Sequence, residues 1–152
     1  MTITFVGHSS IPSKAGIKDL VKQQLRNNVL FEKSITCYVG GYGDFDEICA
    51  YACKELKKEI SNIEIVYVTP YVSLSAQERI KNLLENNLCD TSIYPPLENV
   101  PPEFAISKRN EWMINNANLI IAYVNCNFGG AYKSLQMAKR KNKKIINIYD
   151  LI

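Results

Sequence analysis

Short apolar runs alternate with longer amphipathic segments along almost the whole chain, and this alternation restricts the fold more than any other feature. Most of the runs are apolar throughout, as in parallel strands that are covered on both faces. The pattern predicts an α/β fold: a single Rossmann-like three-layer α/β/α domain over residues 1–152, with a mainly parallel sheet. Strands are predicted at Thr2–Val6, Ile35–Val39, Ile63–Val68, Leu119–Val124 and Lys144–Ile148.

Amphipathic spacing predicts five helices between these strands. They are expected at about residues 14–28, 44–60, 75–86 and 103–116, with a fifth that ends at Arg140. Ser75 is a residue type that caps helices and is expected to begin the third one. Prolines 95, 96, 101 and 102 follow that helix closely and predict an irregular loop, because proline lacks the backbone donor of regular structure.

Composition excludes several classes of protein. Hydrophobic residues make up 47% and charged residues 22% of the 152 residues, which excludes general disorder. No apolar run approaches the roughly 20 residues of a membrane span. The N-terminal sequence MTITFVGHSS has no basic region and is interpreted as a first strand rather than a signal peptide. We therefore expect a cytoplasmic protein without a membrane partner.

The cysteines and the charge argue against two further kinds of site. Five cysteines without a C-x-x-C pair, and a single histidine, favour reduced thiols over a metal site, and no cofactor is expected. The net charge is only +3, and the basic residues are concentrated at 139–144. No aromatic residues lie between them, so we interpret them as a helix C-terminus and expect no nucleic-acid partner.

Open parallel sheets bind ligands where the carboxyl ends of their strands meet, so the loops after the strands are the candidate site. Two of these loops, 40–43 and 129–131, are glycine-rich and lead into helices. Glycine lets the backbone approach an anion, and a helix N-terminus stabilises negative charge. Both loops are therefore predicted to converge on one phosphate of a nucleotide-type ligand. The candidate ligand-binding residues are Gly7, His8, Ser9, Gly40, Gly41, Tyr42, Gly43, Asp46, Pro70, Tyr71, Arg109, Asn110, Gly129, Gly130, Ala131 and Tyr132.

Helical angles separate the carboxylates that follow the first glycine loop. Asp44 is predicted as the N-cap of the second helix, with Glu47 as its capping-box partner. Asp46 lies at the edge of the buried face and is the better ligand-facing carboxylate, suited to ribose hydroxyl groups. Glu47 faces away from that side, so we do not expect it to be a catalytic base.

Arg109 shares a helix face with apolar residues, which is unusual for a permanent cation. Two interpretations remain open: the side chain reaches a ligand phosphate, or it turns outward or pairs with Glu98 or Glu103. His8 is equally compatible with a local turn contact and with a ligand contact. No Ser-His-Asp or Cys-His relay can be identified from the sequence.

Blocks of residues spread over nearly the whole chain resemble the SLOG superfamily, which includes DNA-processing Smf proteins and Lonely-guy nucleotide hydrolases, and the closest likeness is to its YpsA-like branch. These blocks are FVGH (5–8), GGYGDFDEICAYACKEL (40–56), VTPY (68–71), KRNEWMINNANLIIAYV (108–124) and GGAYKSLQMAKRKNKKIINI (129–148). The resemblance implies a Rossmann-like fold that binds nucleotides or nucleotide-derived signals, often as a homo-oligomer, in settings such as bacterial stress or phage defence.

The chain departs from the hydrolases of this superfamily at one important position. Lonely-guy hydrolases carry P-G-G-x-G-T-x-x-E after the late strand, and its glutamate acts with a helical arginine. Arg109 matches the arginine, but residues 127–135 lack the proline, the second G-T and the glutamate. Without that carboxylate the oxocarbenium-like transition state has no evident stabiliser.

Three hypotheses follow, in order of preference. The first is a ligand-binding module that senses or sequesters a nucleotide or a cyclic nucleotide-like signal, and is not an enzyme. The second is an N-glycosidase, phosphoribohydrolase or deoxyribosyltransferase-like enzyme acting on a nucleoside monophosphate, in which Asp46 or His8 supplies acid–base chemistry. The third is a nucleic-acid-binding protein that uses the basic residues 139–144.

Overall fold

The computed structural model describes residues 1–152 and is centred on a six-stranded sheet in which every pair of neighbouring strands is parallel. The spatial order of the strands is β4-β3-β2-β1-β5-β6. The α/β prediction is thereby confirmed. The strands are β1 (Thr2–Gly7), β2 (Ile35–Val39), β3 (Ile63–Val68), β4 (Thr91–Ile93), β5 (Leu119–Tyr123) and β6 (Lys144–Asn147).

Helices cover both faces of this sheet. They are α1 (Ile17–Val29), α2 (Asp44–Lys57), α3 (Leu74–Glu85), α4 (Ala105–Asn115) and α5 (Gly129–Arg140), with 3-10 turns at Pro102–Phe104 and Ile148–Leu151. One face carries α1, α2 and α3 over the larger core cluster, and the other carries α4 and α5 over a second cluster. None of the helices is both long and apolar enough to cross a membrane.

The sequence-based elements differ from the structure in a few places. Strand β4 was not predicted, because its three residues are too few to establish a period before the prolines begin. Helix α3 is capped by Ser73, whose hydroxyl accepts from the Ala76 amide at 3.3 Å, rather than by Ser75. The fourth helix begins with a 3-10 turn, and its α-helical part starts only at Ala105.

The strand order reverses beside β1, and this reversal positions the site. Strands β2, β3 and β4 are added one after another on one side of β1. Helix α4 then returns the chain to the other side of β1, where β5 pairs with it. Phe5 is in register with Ile121, and Gly7 with Tyr123. The carboxyl ends of β1 and β5 are therefore the switch point, where the connections leave in opposite directions and a crevice opens.

Candidate functional site

A cavity of about 480 Å³ lies at this switch point, between the end of β1 and helices α4 and α5. Its size falls within the range of about 300–1,000 Å³ that is typical of small-molecule sites. The structure brings eleven of the sixteen candidate residues together around it. These are Gly7, His8, Ser9, Tyr42, Gly43, Asp46, Arg109, Asn110, Gly129, Gly130 and Ala131.

Five candidate residues do not line the cavity. Gly40 is buried, and a Cβ there would lie 2.8 Å from Asp46 Oδ2, while a Cβ on Gly41 would lie 2.5 Å from the Tyr67 ring. Both glycines therefore serve close packing. The other three also make contacts within the protein: Pro70 is buried, the Tyr71 hydroxyl donates to the Pro102 carbonyl at 3.2 Å, and Tyr132 packs on the second core cluster.

The two glycine loops offer different numbers of free donors. In the first turn of α2, the amide of Asp44 donates to the Ser9 carbonyl at 2.9 Å and that of Phe45 donates to the His8 carbonyl at 3.3 Å. The Tyr42 amide donates to Asp46 Oδ2 at 3.0 Å. Within loop 40–43 only the Tyr42 amide donates to the protein, but Gly40 and Gly41 do not line the cavity, so this loop offers the cavity a single free amide, that of Gly43.

Helix α5, in contrast, presents unused donors to the cavity. The amides of Gly129, Gly130 and Ala131 donate to no protein acceptor, and no side chain caps the helix. Gly129 has a φ of 90°, a conformation that favours glycine, and a Cβ at Gly129 or Gly130 would meet nothing within 4 Å. This 12-residue helix therefore directs its positive end and open space at the cavity.

Arg109 is buried, with 1% of its surface exposed, and links the sheet to the cavity. Its Nη1 donates to the carbonyls of Gly40 and Val68, both at 2.7 Å, and its Nε donates to Asn110 Oδ1 at 2.9 Å. The side chain thus neither turns outward nor pairs with a glutamate, as one interpretation of the sequence suggested. Nη2 has no protein acceptor, while the side chain lines the cavity.

Asp46 lies close to Arg109 without forming a direct ion pair. A Cβ on Gly40 would lie 2.8 Å from Oδ2 of Asp46 and 3.2 Å from Nη2 of Arg109, so both groups approach the backbone at this glycine. Burial raises the pKa of Asp46 to about 6, although the charge of Arg109 and the amide of Tyr42 act in the opposite direction. The cavity therefore contains a carboxyl group that holds its proton to a higher pH than an ordinary aspartate does.

His8 and Cys126 lie side by side at the cavity but do not form a nucleophilic pair. The Asn125 amide donates to His8 Nε2 at 3.0 Å, so the lone pair that would accept a thiol proton is already used. The Cys126 sulfur lies 3.9 Å from the same nitrogen and donates to the Phe128 carbonyl at 3.4 Å. This geometry places the proton of a neutral His8 on Nδ1, as a donor.

The predicted capping box of α2 is not formed. Gly43 occupies the N-cap, and Asp44 lies inside the first turn, where its Oδ2 accepts from the Ile11 amide at 2.8 Å. Glu47 is exposed and makes no side-chain hydrogen bond. The glycine cap leaves the Asp44 carboxylate free to hold the β1–α1 loop.

Some cavity residues could not be singled out from sequence. Cys126, Phe128 and Ser134 belong to the glycine-containing segment after β5, but nothing in their pattern indicates which of them faces the crevice. Val6, Met113 and Ile114 form an apolar part of the cavity lining that the sequence analysis did not single out. A pocket floor and a core have the same hydrophobic periodicity.

Comparison with known proteins supports the architecture. No protein-family model and no curated protein matches the chain. Among solved structures, DNA processing protein A (DprA) from Streptococcus pneumoniae matches 95% of this chain with a TM-score of 0.62 and 17% identity. DprA from Helicobacter pylori, described for its single-stranded DNA binding mode, matches 95% with a TM-score of 0.59 and 13% identity. The chain therefore shares its fold with these two proteins.

A third solved structure extends the same likeness beyond DNA-processing proteins. The Moco carrier protein of Chlamydomonas rheinhardtii matches 95% of this chain with a TM-score of 0.52 and 12% identity. The chain covers 48% and 63% of the two DNA-processing proteins and 72% of the carrier protein. At these identities the likeness establishes the fold alone.

Proposed function

We propose that the chain binds a nucleotide or nucleotide-derived ligand in the switch-point cavity, as a sensor or sequestering protein. The ligand's phosphate lies against the amides of α5 and the Nη2 of Arg109. Oxygen atoms of phosphate accept hydrogen bonds without donating any, and both a helix N-terminus and a guanidinium suit them.

The observation that carries this proposal is the excess of donors over acceptors around the cavity. Besides the α5 amides and Arg109 Nη2, there are two further donors: Asn110 Nδ2 has no protein acceptor, and His8 Nδ1 carries a proton. Asp46 is the only carboxylate that lines the cavity. A donor-rich, half-enclosed crevice with an apolar floor matches an anionic ligand that also has an apolar part.

The direct test is a titration of the protein with nucleoside 5′-monophosphates, cyclic nucleotides and ribose 5-phosphate, followed by calorimetry. A ligand at 100 times its Kd should stabilise the fold by about 2.7 kcal/mol, which a thermal shift detects. Failure of every phosphate compound to bind at millimolar concentration would overturn the proposal. From the superfamily resemblance we further propose that the protein is YpsA-like, cytoplasmic and homo-oligomeric. Light scattering tests the oligomeric state.

A second candidate is an enzyme on a nucleoside monophosphate, and the position of Asp46 favours it. This carboxyl group comes from α2 rather than from the missing motif of α5, yet it lies in the cavity beside Arg109 with a raised pKa. Chromatography of any bound nucleotide after long incubation tests this candidate. Release of free base by the wild type, but not by Asp46→Asn, would mean that the protein hydrolyses the nucleotide instead of sequestering it.

The expectation that nucleic acid is not a partner is weakened by the likeness to DNA-processing proteins. The basic segment 139–144 nevertheless lies at the amino ends of the strands, where Lys143 Nζ donates to the Ala117 carbonyl at 3.0 Å. A nucleic acid bound through this segment would therefore lie at the opposite ends of the strands from the cavity. Salt-dependent gel shifts with single-stranded DNA test this, since phosphate contacts make affinity fall steeply with salt.

A further inference from the structure

The mouth of the cavity contains an apolar pair that the phosphate site does not use. Seven lining residues are exposed: Ser9, Ser10, Gly43, Ile106, Phe128, Gly129 and Gly130. Ile106 in the first turn of α4 and Phe128 at the N-cap of α5 are the only large apolar side chains among them. Phe128 is 76% exposed and Ile106 is 37% exposed.

We infer that Ile106 and Phe128 hold the base of the bound nucleotide at the cavity mouth, with the base stacked on the Phe128 ring. This inference rests on the proposed function. Phe128 directly precedes the three α5 amides, so a phosphate bound to those amides brings the rest of the nucleotide close to its ring. Ser9 and Ser10 offer only backbone and hydroxyl groups, so the pair provides the only broad apolar surface for a ring at the mouth.

The chemistry of the pair favours a planar heteroaromatic group over a sugar or a lipid chain. Every nucleobase has a π-face, and stacking on an aromatic side chain tolerates any base. The hydrogen bond from Cys126 to Phe128 involves the backbone carbonyl of Phe128 and leaves its ring free. The free ring therefore favours nucleotides over sugar phosphates without selecting a particular base.

The experiment is calorimetric titration of wild-type protein and Phe128→Ala with AMP, GMP, CMP and UMP, and with ribose 5-phosphate, which has no base. Loss of the stacking surface should weaken binding of the four nucleotides by about tenfold or more and leave ribose 5-phosphate unchanged. Phe128→Trp should retain nucleotide affinity. Phe31→Ala is the matched control, because Phe31 is 94% exposed at the opposite edge of the sheet.

Three results would overturn the inference, and each gives a different pattern of affinities. Unchanged nucleotide affinity in Phe128→Ala would leave the proposed function intact and remove the stacking contact. An equal loss for ribose 5-phosphate would mean that Phe128 acts through the shape of the α5 loop. Failure of the wild type to bind any of the five compounds, or any cyclic nucleotide, would remove the proposed function and this inference together.

Discussion

The Nη1 of Arg109 lies 2.7 Å from the carbonyl oxygen of Gly40, which is 69 residues earlier in the chain. A second bond of the same length joins this nitrogen to the carbonyl of Val68, so one guanidinium ties the ends of β2 and β3 to α4. Arg109 is therefore a structural residue as well as a candidate ligand contact. Loss of binding in an Arg109 variant is informative only if its stability is also measured.

Arg109→Ala should destabilise the fold by about 3 kcal/mol or more. The substitution leaves two buried carbonyls without a donor, at about 1–3 kcal/mol each, and opens a cavity in the packed interior. Denaturant unfolding measures this. Arg26→Ala is the control, because its ion pair with Glu59 is exposed and should contribute less than about 1 kcal/mol. Equal stabilities of the two variants would contradict the structural role.

Gly130→Val should reduce ligand binding without reducing stability by more than about 1 kcal/mol. A Cβ at this position meets no other atom, so the fold tolerates a side chain, yet the residue lines the cavity beside the free amides. Titration with nucleoside monophosphates and thermal unfolding measure the two effects separately. Undiminished affinity would place the phosphate away from α5.

Gly41→Ala should show the opposite behaviour. Gly41 has a φ of 71°, and an added Cβ would lie 2.5 Å from the Tyr67 ring, so the substitution strains both the backbone and the packing. We expect a loss of at least about 1 kcal/mol in unfolding free energy. Gly16→Ala separates the two causes, since Gly16 has a φ of 79° but its Cβ would meet nothing. A loss no larger than that of Gly16→Ala would show that the contact with Tyr67 is unimportant.

Asp46 should make the protein less stable as the pH rises. Its pKa is about 6 in the folded protein and near 3.8 when unperturbed, so between these values the folded state holds more protons than the unfolded state. Stability relative to Asp46→Asn should therefore fall between about pH 4 and pH 7, by about 3 kcal/mol at most. Parallel pH profiles of the two proteins in urea would contradict the raised pKa.

Asp44→Ala should loosen the β1–α1 loop. The Ile11 amide holds the pKa of Asp44 below its ordinary value, with a further contribution from Lys14, so the carboxylate stabilises the fold above about pH 4 and loses this effect as the pH falls. Hydrogen exchange at the Ile11 amide should accelerate at pH 7. Glu47→Ala, in the same turn but without a side-chain hydrogen bond, should leave that exchange unchanged.

The sequence predicted the sheet, and the edge of it where most candidate residues gather, because both depend on features that repeat or have strong local chemistry. Apolar runs located five of the six strands, and the glycine loops indicated the carboxyl edge. The contacts of Arg109 could not be predicted, since its acceptors are backbone carbonyls that are brought near only by the tertiary fold. The same limit applies to the first turn of α2, where carbonyls of a distant loop replaced the predicted carboxylate cap.

The reversal of strand order also has a consequence for when the cavity forms during synthesis. One wall comes from the first ten residues and the other from α4 and the beginning of α5, so more than 90 residues separate the two halves of the crevice along the chain. If the proposed ligand binds in this cavity, a nascent polypeptide cannot retain it until α5 has left the ribosome and docked. Only the completely folded chain would then bind the ligand. A high cellular concentration of ligand would stabilise the state in which α5 has docked on the sheet.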